Sequence, residues 1–256
     1  VKKTEPRLIL CMKWGAAFEP DYVNILFRAC RSNTTGSLRF VCLTDDATGL
    51  HPDIEAFPIP EIGLTKDQWY TRGIWPKLSM FQDELYGLTG RALFIDLDMM
   101  VVGSLDPFFE PKSRLITLDV GEGWRPGGTA SPEVGTGVFA FDIGDQRQIL
   151  DSFIAHRDQV IAEFFNEQDY VGAKGEDISF WPNGKVISFK RFLRRGLGRD
   201  LFKAPPPPDP NVAIVAFHGT PRPIDLVRPG VWGQFPHLGR GPVNWVQDYW
   251  NFYASE

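Results

Sequence analysis

Several features that would label a chain early are scarce or missing in these 256 residues. Cysteine is sparse: Cys11, Cys30 and Cys42 are odd in number and lack metal-type spacing, which argues against a disulfide framework or a cysteine zinc site. Cys11 and Cys42 fall in apolar, strand-like runs and read as buried free thiols of a reducing cytoplasm. No apolar run approaches the ~20 residues that span a bilayer. Residues 8–12, after Lys2 and Lys3, are too short to be a signal-peptide core. Positive charge is not in excess either. The net charge of −5 argues against nucleic acid as a general partner, because a phosphate backbone demands a basic footprint. No internal repeat is visible. The expectation is a cytoplasmic protein without a transmembrane segment.

What is present is alternation. Short apolar runs at 8–12, 38–43, 92–97, 114–119, 136–142, 185–189 and 212–217 read as strands. Between them, 22–31, 75–85 and 146–165 carry apolar residues at helical spacing. Strand–helix alternation with near-continuous apolar strands predicts an α/β fold with a largely parallel sheet, and such sheets bind ligands outside the carboxyl ends of their strands. Residues 121–133 and the proline-rich 204–210 read as irregular. Neither separates two complete cores, so a single domain over 1–256 is expected.

The run 92–97 ends in Asp96 and Asp98, spaced by one residue, and leads to Asp106 as a helix cap with Pro107 at the first helical position. Two acids at the end of a buried strand call for something cationic. Hard divalent ions take carboxylate oxygens and commonly share them with a diphosphate. The spacing admits three readings: solvated strand-end acids, a metal-dependent glycosyltransferase, or a haloacid-dehalogenase-like Asp-x-Asp phosphatase. Met100 stands where those phosphatases usually have Thr or Val, and the motif lies far from the N-terminus.

A second cluster follows the run 212–217. His218 is a neutral-imidazole candidate for manganese beside two carboxylates. Gly219 allows close backbone approach. Arg222 offers a planar donor fork suited to a diphosphate.

With these pieces in hand, the chain resembles the bacterial GT-A-fold glycosyltransferases, distantly similar to glycogenin and the retaining, family 8-like galactosyltransferases. The resemblance rests on Leu-Ile-Leu-Cys-Met-Lys-Trp-Gly15, Arg-Phe-Val-Cys-Leu-Thr-Asp-Asp46, Trp-Pro-Lys-Leu-Ser-Met-Phe81, Phe-Ile-Asp-Leu-Asp98, Gly-Thr-Gly-Val-Phe-Ala-Phe141, Gly-Glu-Asp177 and Phe-His-Gly-Thr-Pro-Arg-Pro223. It implies a Rossmann-like, mostly parallel central sheet with flanking helices. It also implies transfer of a hexose from a nucleotide sugar, a UDP-sugar, to a saccharide or glycolipid acceptor with retention, as in bacterial polysaccharide biosynthesis. Asp96, Asp98 and His218 would bind Mn2+ or Mg2+, with Asp96 also near the ribose. Met12, Lys13 and Trp14 would meet the nucleobase. Lys77 would approach the nucleotide sugar, Asp119 the donor-sugar hydroxyls, and Gly219 and Arg222 the diphosphate.

Two departures stand out. Gly135-Thr136-Gly137 replaces an Asn-Ser/Ala-Gly pattern, so a sugar contact is lost or replaced. Gly175-Glu176-Asp177 stands where Asp-Gln is common, which makes Glu176 and Asp177 the expected catalytic carboxylates, able to stabilise positive charge or act as a nucleophile. Their plainer reading is an acid pair at a helix start. Lys185, Lys190, Arg191, Arg194, Arg195, Arg199 and Lys203 form a basic stretch, either a solvated face or a contact to an acceptor or to the inner face of a membrane. A non-catalytic nucleotide-sugar-binding module with the same fold is the remaining alternative.

Overall fold

A computed structural model describes residues 6–121, 124, 132–196, 198–235 and 237–255. Most of the irregular segment expected at 121–133 lies outside the described residues. Strands β1 (Arg7–Lys13), β2 (Leu38–Thr44), β3 (Glu55–Phe57), β4 (Arg91–Ile95), β6 (Leu115–Asp119), β7 (Val134–Asp142) and β8 (Ile178–Phe180) form one sheet in the order β3-β2-β1-β4-β7-β6-β8. β7 runs antiparallel to both its neighbours, and the other pairs are parallel. A second sheet has the order β5-β10-β9, from β5 (Met99–Val101), β9 (Val186–Ser188) and β10 (Ile214–Ala216). A hairpin of β11 (Gly230–Gln234) and β12 (His237–Gly241) completes the strands.

The strands are apolar on both faces because both are covered. Along β1, Ile9 and Cys11 join one core cluster while Leu8, Leu10 and Met12 join the other, the period-2 alternation of a strand. The first face is covered by α1 (Pro20–Ser32) and α6 (Asn244–Ser255). The second is covered by α3 (Arg147–Glu163), α4 (Glu167–Lys174) and a 3-10 helix, Trp75–Phe81. Two short helices, α2 (Lys66–Tyr70) and α5 (Pro223–Val227), lie in the connections. In α1, Pro20 occupies the first turn, Val23, Ile25, Leu26, Ala29 and Cys30 face inward, and Asn33 N–H donates to the Ala29 and Cys30 carbonyls at the end. All three cysteines are buried free thiols.

Three expectations change. The helix expected over 75–85 is a 3-10 helix that stops at Phe81. Trp75, Leu78 and Phe81 repeat every third residue, the spacing that eclipses in a 3-10 helix, and all seven of its residues are buried. The long helix at 146–165 breaks at His156, where φ is −133° and ψ is 27°. Asp106 is not a cap: it accepts from Thr35 N–H and Oγ1 and pairs with Arg7.

Phe139 is 1% exposed and touches the rings of Phe81, Phe94 and Phe141. Phe139→Ala should cost about 3–5 kcal/mol of unfolding free energy, measurable as a lowered denaturation midpoint at unchanged m-value.

Candidate active site

β4 ends at Ile95, and the chain turns through Asp96-Leu97-Asp98 into β5. This turn is fixed from three sides. Asp96 N–H donates to the Gly137 carbonyl (2.9 Å), Met99 N–H to the Asp96 carbonyl (3.3 Å) and Phe217 N–H to the Asp98 carbonyl (3.0 Å). The last bond extends the antiparallel β5–β10 ladder, in which Ala216 faces Met99. The ladder therefore carries His218 toward Asp98, which lies 120 positions earlier in the chain. A Cβ at Gly137 would lie 2.6 Å from Met99 Cε, beside Asp96, and would displace the end of that methionine side chain. At Gly135 a Cβ would collide with the Val120 side chain, so the departure at Gly135-Thr136-Gly137 is also a packing requirement.

Lys77 is the surprise of the site. It is not a solvated lysine. The 3-10 helix turns it inward, and its side chain is 4% exposed. Nζ donates to Asp96 Oδ2 (2.9 Å) and the Thr136 carbonyl (3.2 Å), and lies 3.3 Å from Glu167 Oε1. Glu167 also accepts from Thr136 Oγ1 at 2.6 Å. Burial alone would lower Lys77, but Asp96 and Glu167 outweigh it and raise it, so the ammonium stays charged. Burial raises both Asp96 and Glu167 against the pull of Lys77. Glu167 was missed in the sequence, where an acid at a helix start reads as a dipole-favoured surface residue. The available signal was its place right after Asn166, the cap of α4, which accepts from Asp169 N–H.

Asp96 and Asp98 line a cavity of about 330 Å³ together with Lys13, Trp14, Trp69 and Tyr70. Asp98 makes no ion pair among the described residues. Burial first, then the neighbouring Asp96, push its carboxyl up to about 7. Trp14 Nε1 donates to the Trp69 carbonyl at 3.3 Å, holding two aromatic walls together. Met12 is 5% exposed, belongs to the second core cluster and also lines the cavity. Arg222 donates to the Ala17 carbonyl at the rim, and its guanidinium lies 4.4 Å from the Phe18 ring centroid.

His218 Nε2 is 2.6 Å from Ser188 Oγ. Burial, then Lys190 and Arg191, push its imidazole down to about 4, so it is uncharged at neutral pH. Gly219 has φ +74°, and Lys190 Nζ donates to the His218 carbonyl at 2.5 Å. For a divalent cation the donor chemistry fits: two carboxylates, a neutral imidazole, and locally three acids (Asp96, Asp98, Glu167) against one lysine. The expected ligand set is nevertheless not assembled. Among the described residues no three His, Cys, Asp or Glu side chains are gathered to hold a metal ion; Asp96 accepts from Lys77, and Nε2 of His218 lies against Ser188 Oγ.

Other expected residues lie elsewhere. Asp119 ends β6 at the same sheet edge as Asp96, but its Oδ1 accepts from Gly121 and Glu133 N–H (2.9 and 3.0 Å) and ties a turn. Glu176 and Asp177 are not brought to the site. Ile178 pairs with Leu115 at the start of β6, whereas the site lies at the other end of that strand, roughly 15 Å away at ~3.3 Å per residue. Glu176 is exposed and pairs with Arg114, and Asp177 accepts from Arg114 N–H. The alignment that made them catalytic put them at the wrong edge of the sheet. The basic stretch is largely spent internally. Arg194 pairs with buried Asp200 (3.2 Å), Arg195 donates to Asp200 and the Ala204 carbonyl, and Arg191 donates to the Val120 carbonyl.

The seven-stranded, mostly parallel sheet with helices on both faces has counterparts among solved glycosyltransferase structures. The galactosyltransferase LgtC, solved with donor and acceptor sugar analogs, superposes with TM-score 0.56 at 13% identity over 96% of this chain and 95% of that one. This is a GT-A fold. The glycosyltransferase GlyE of Streptococcus pneumoniae gives 0.60 at 13% identity, over 97% of this chain and 63% of that one. Mouse xyloside xylosyltransferase 1 gives 0.52 at 13%, over 84% and 98%. No protein-family model and no curated protein matches the sequence. Within this GT-A frame, no helix of the described residues is long and apolar enough to cross a membrane.

Lys77→Met would leave Asp96 and Glu167 buried without a cation and should cost about 3–5 kcal/mol. Adding Glu167→Gln should recover part of that loss. Thermal denaturation of both variants checks this, and a neutral single substitution would show that the cluster is not a buried ion set.

Proposed function

We propose that this chain is a metal-dependent glycosyltransferase, carried by one domain, that moves a hexose from a nucleotide sugar, in the first instance a UDP-sugar, to a saccharide or glycolipid acceptor. The observation that carries this reading is Asp98, an acid without an ionic partner among the described residues, open on an aromatic-walled cavity beside Asp96. The GT-A fold supports it.

Asp96, Asp98 and His218 would hold Mn2+ or Mg2+, which supplies neutralisation of the charge that grows on the leaving diphosphate. The chain's own residues do the rest. Trp14 and Trp69 offer flat faces for a base and exclude water from the cavity. Arg222, anchored through Ala17 and Phe18, presents positive charge at the rim. Lys77 and Glu167 hold Asp96 in place, so that its orientation is set before a ligand arrives. Transfer with retention follows the resemblance. Asp119 keeps a second carboxylate oxygen for a sugar hydroxyl while Oδ1 ties its turn. Exposed Arg199, Phe202 and Lys203 are the part of the basic stretch available to a glycolipid or anionic lipid surface at the inner face of a membrane. No observation in the site favours the phosphatase.

UDP with manganese should raise the melting temperature by several degrees, chelator should abolish the shift, and Asp98→Ala should remove it. Slow hydrolysis of a UDP-sugar should vanish in the same variant. Hydrolysis of simple phosphoesters with no response to UDP would sink the reading, and binding without any turnover would leave a non-catalytic module. Glu176→Gln should leave turnover within about tenfold of the unsubstituted chain, and a larger loss (beyond about 1.4 kcal/mol) would return a catalytic role to Glu176.

A further inference from the structure

Two phenylalanines stand almost wholly in solvent: Phe202 is 91% exposed and Phe235 is 87% exposed. Neither sits on a loose end. Phe202 follows the 3-10 turn Arg199–Leu201, where its own N–H and that of Lys203 both donate to the Arg199 carbonyl (3.1 and 3.0 Å). Phe235 directly follows β11, at the turn of the hairpin that ends with Gln234 facing His237. The hairpin is held against that 3-10 turn. β12 packs on it, Arg194 pairs with its buried Asp200, and the same guanidinium lies 5.3 Å from the ring centroid of Trp232 in β11. The two phenylalanines therefore belong to one surface. It is built on the segment that also holds His218, through Ser188 and Lys190.

That surface is basic in an acidic chain. Residues 181–243 carry ten lysines and arginines against three acids, while the remaining residues carry seventeen against twenty-nine. Part of this charge is spent internally. Arg199 and Lys203, on either side of Phe202, are exposed, and so is Arg240, which pairs with exposed Val231 on the outward face of the hairpin. A phenyl ring left this far in water gains nothing from the fold that carries it, and an exposed aromatic pair marks a contact surface. Side chains so exposed project from the surface instead of lining a groove. Projecting rings among lysine and arginine fit the boundary of an anionic bilayer, where the rings enter the acyl edge and the cations stay with the headgroups.

Deepening the glycolipid side of the function proposed above, and resting on that reading only for what the docking serves, we propose that Phe202 and Phe235, with Arg199, Lys203 and Arg240, dock the chain on an anionic lipid bilayer. The two rings supply insertion and the three cations supply the preference for negative headgroups. Docking raises the local concentration of any acceptor held in the same membrane.

Co-flotation of the full chain with vesicles tests this without nucleotide or turnover. Phosphatidylcholine vesicles containing roughly one third phosphatidylglycerol should bind the chain, and pure phosphatidylcholine should bind it about tenfold or more weakly. Raising the salt from about 0.1 M to about 0.5 M should release it. Phe202→Ser combined with Phe235→Ser should lower the affinity about tenfold, and so should Arg199→Gln combined with Lys203→Gln. Both double variants should keep the melting temperature, because the four side chains are exposed. No binding to the anionic vesicles, equal binding to the two vesicle types, or binding that neither double variant weakens overturns the docking surface. So does displacement of the vesicles by a single-stranded oligonucleotide, which would make the patch a nucleic-acid site. Failure of vesicle binding leaves the response to UDP and manganese to stand on its own. Vesicle binding without that response upholds the surface and overturns the glycosyltransferase reading.

Discussion

The buried contact of Lys77 with Asp96 and Glu167 is the constraint around which the site is organised. Four elements meet there: the 3-10 helix that brings Lys77, the end of β4 that brings Asp96, the start of β7 through Thr136, and the first residue of α4, Glu167. A buried ion set is weak evidence for stability, because desolvation offsets much of its attraction. Its consequence here is geometric. With Lys77 fixed by three oxygens, Asp96 cannot swing toward solvent without stranding an ammonium. The 3-10 helix likewise cannot relax into an α-helix without withdrawing that ammonium.

A second constraint joins what the sequence separates. The β5–β10 ladder continues through Phe217 N–H to the Asp98 carbonyl, so the acid pair and His218 share one rigid unit. Lys190 and Ser188, at the end of β9, hold His218 from behind. β9 is therefore the third piece of the same support, because it pairs in parallel with β10. The charged residues 185–203 follow from this duty. They bond to carbonyls and to buried Asp200, and only a remainder faces solvent.

How much of this was legible follows from the range of each signal. The strands could be read because burial on both faces gives continuous apolar runs, and Asp96 and Asp98 because two acids at the end of such a run have few other uses. The type of the 75–81 helix was hidden, since a repeat of three fits both windings over so short a span; burial on all sides decided it. Glu167 was missed because its partner lies 90 positions earlier, and its place after the cap Asn166 marks a helix start without saying that the acid is buried. Glu176 and Asp177 were misplaced for the complementary reason. A motif carried over without a gap ignores register, and the pairing of Ile178 with Leu115 puts them at the far edge of the sheet. The short strands β3, β5, β8, β11 and β12 escaped because three to five residues hold too few periods to be told from loop.

The polarity of the cavity orders the ligand it can take. Lys77 engages Asp96 and Glu167 but not Asp98, so an ionised Asp98 facing the cavity would repel an anionic diphosphate brought against it. A cation at the floor removes that repulsion and lowers the cost of ionising Asp98, whose carboxyl is otherwise held up near neutrality. Each therefore strengthens the binding of the other, and the gain must be equal in both directions.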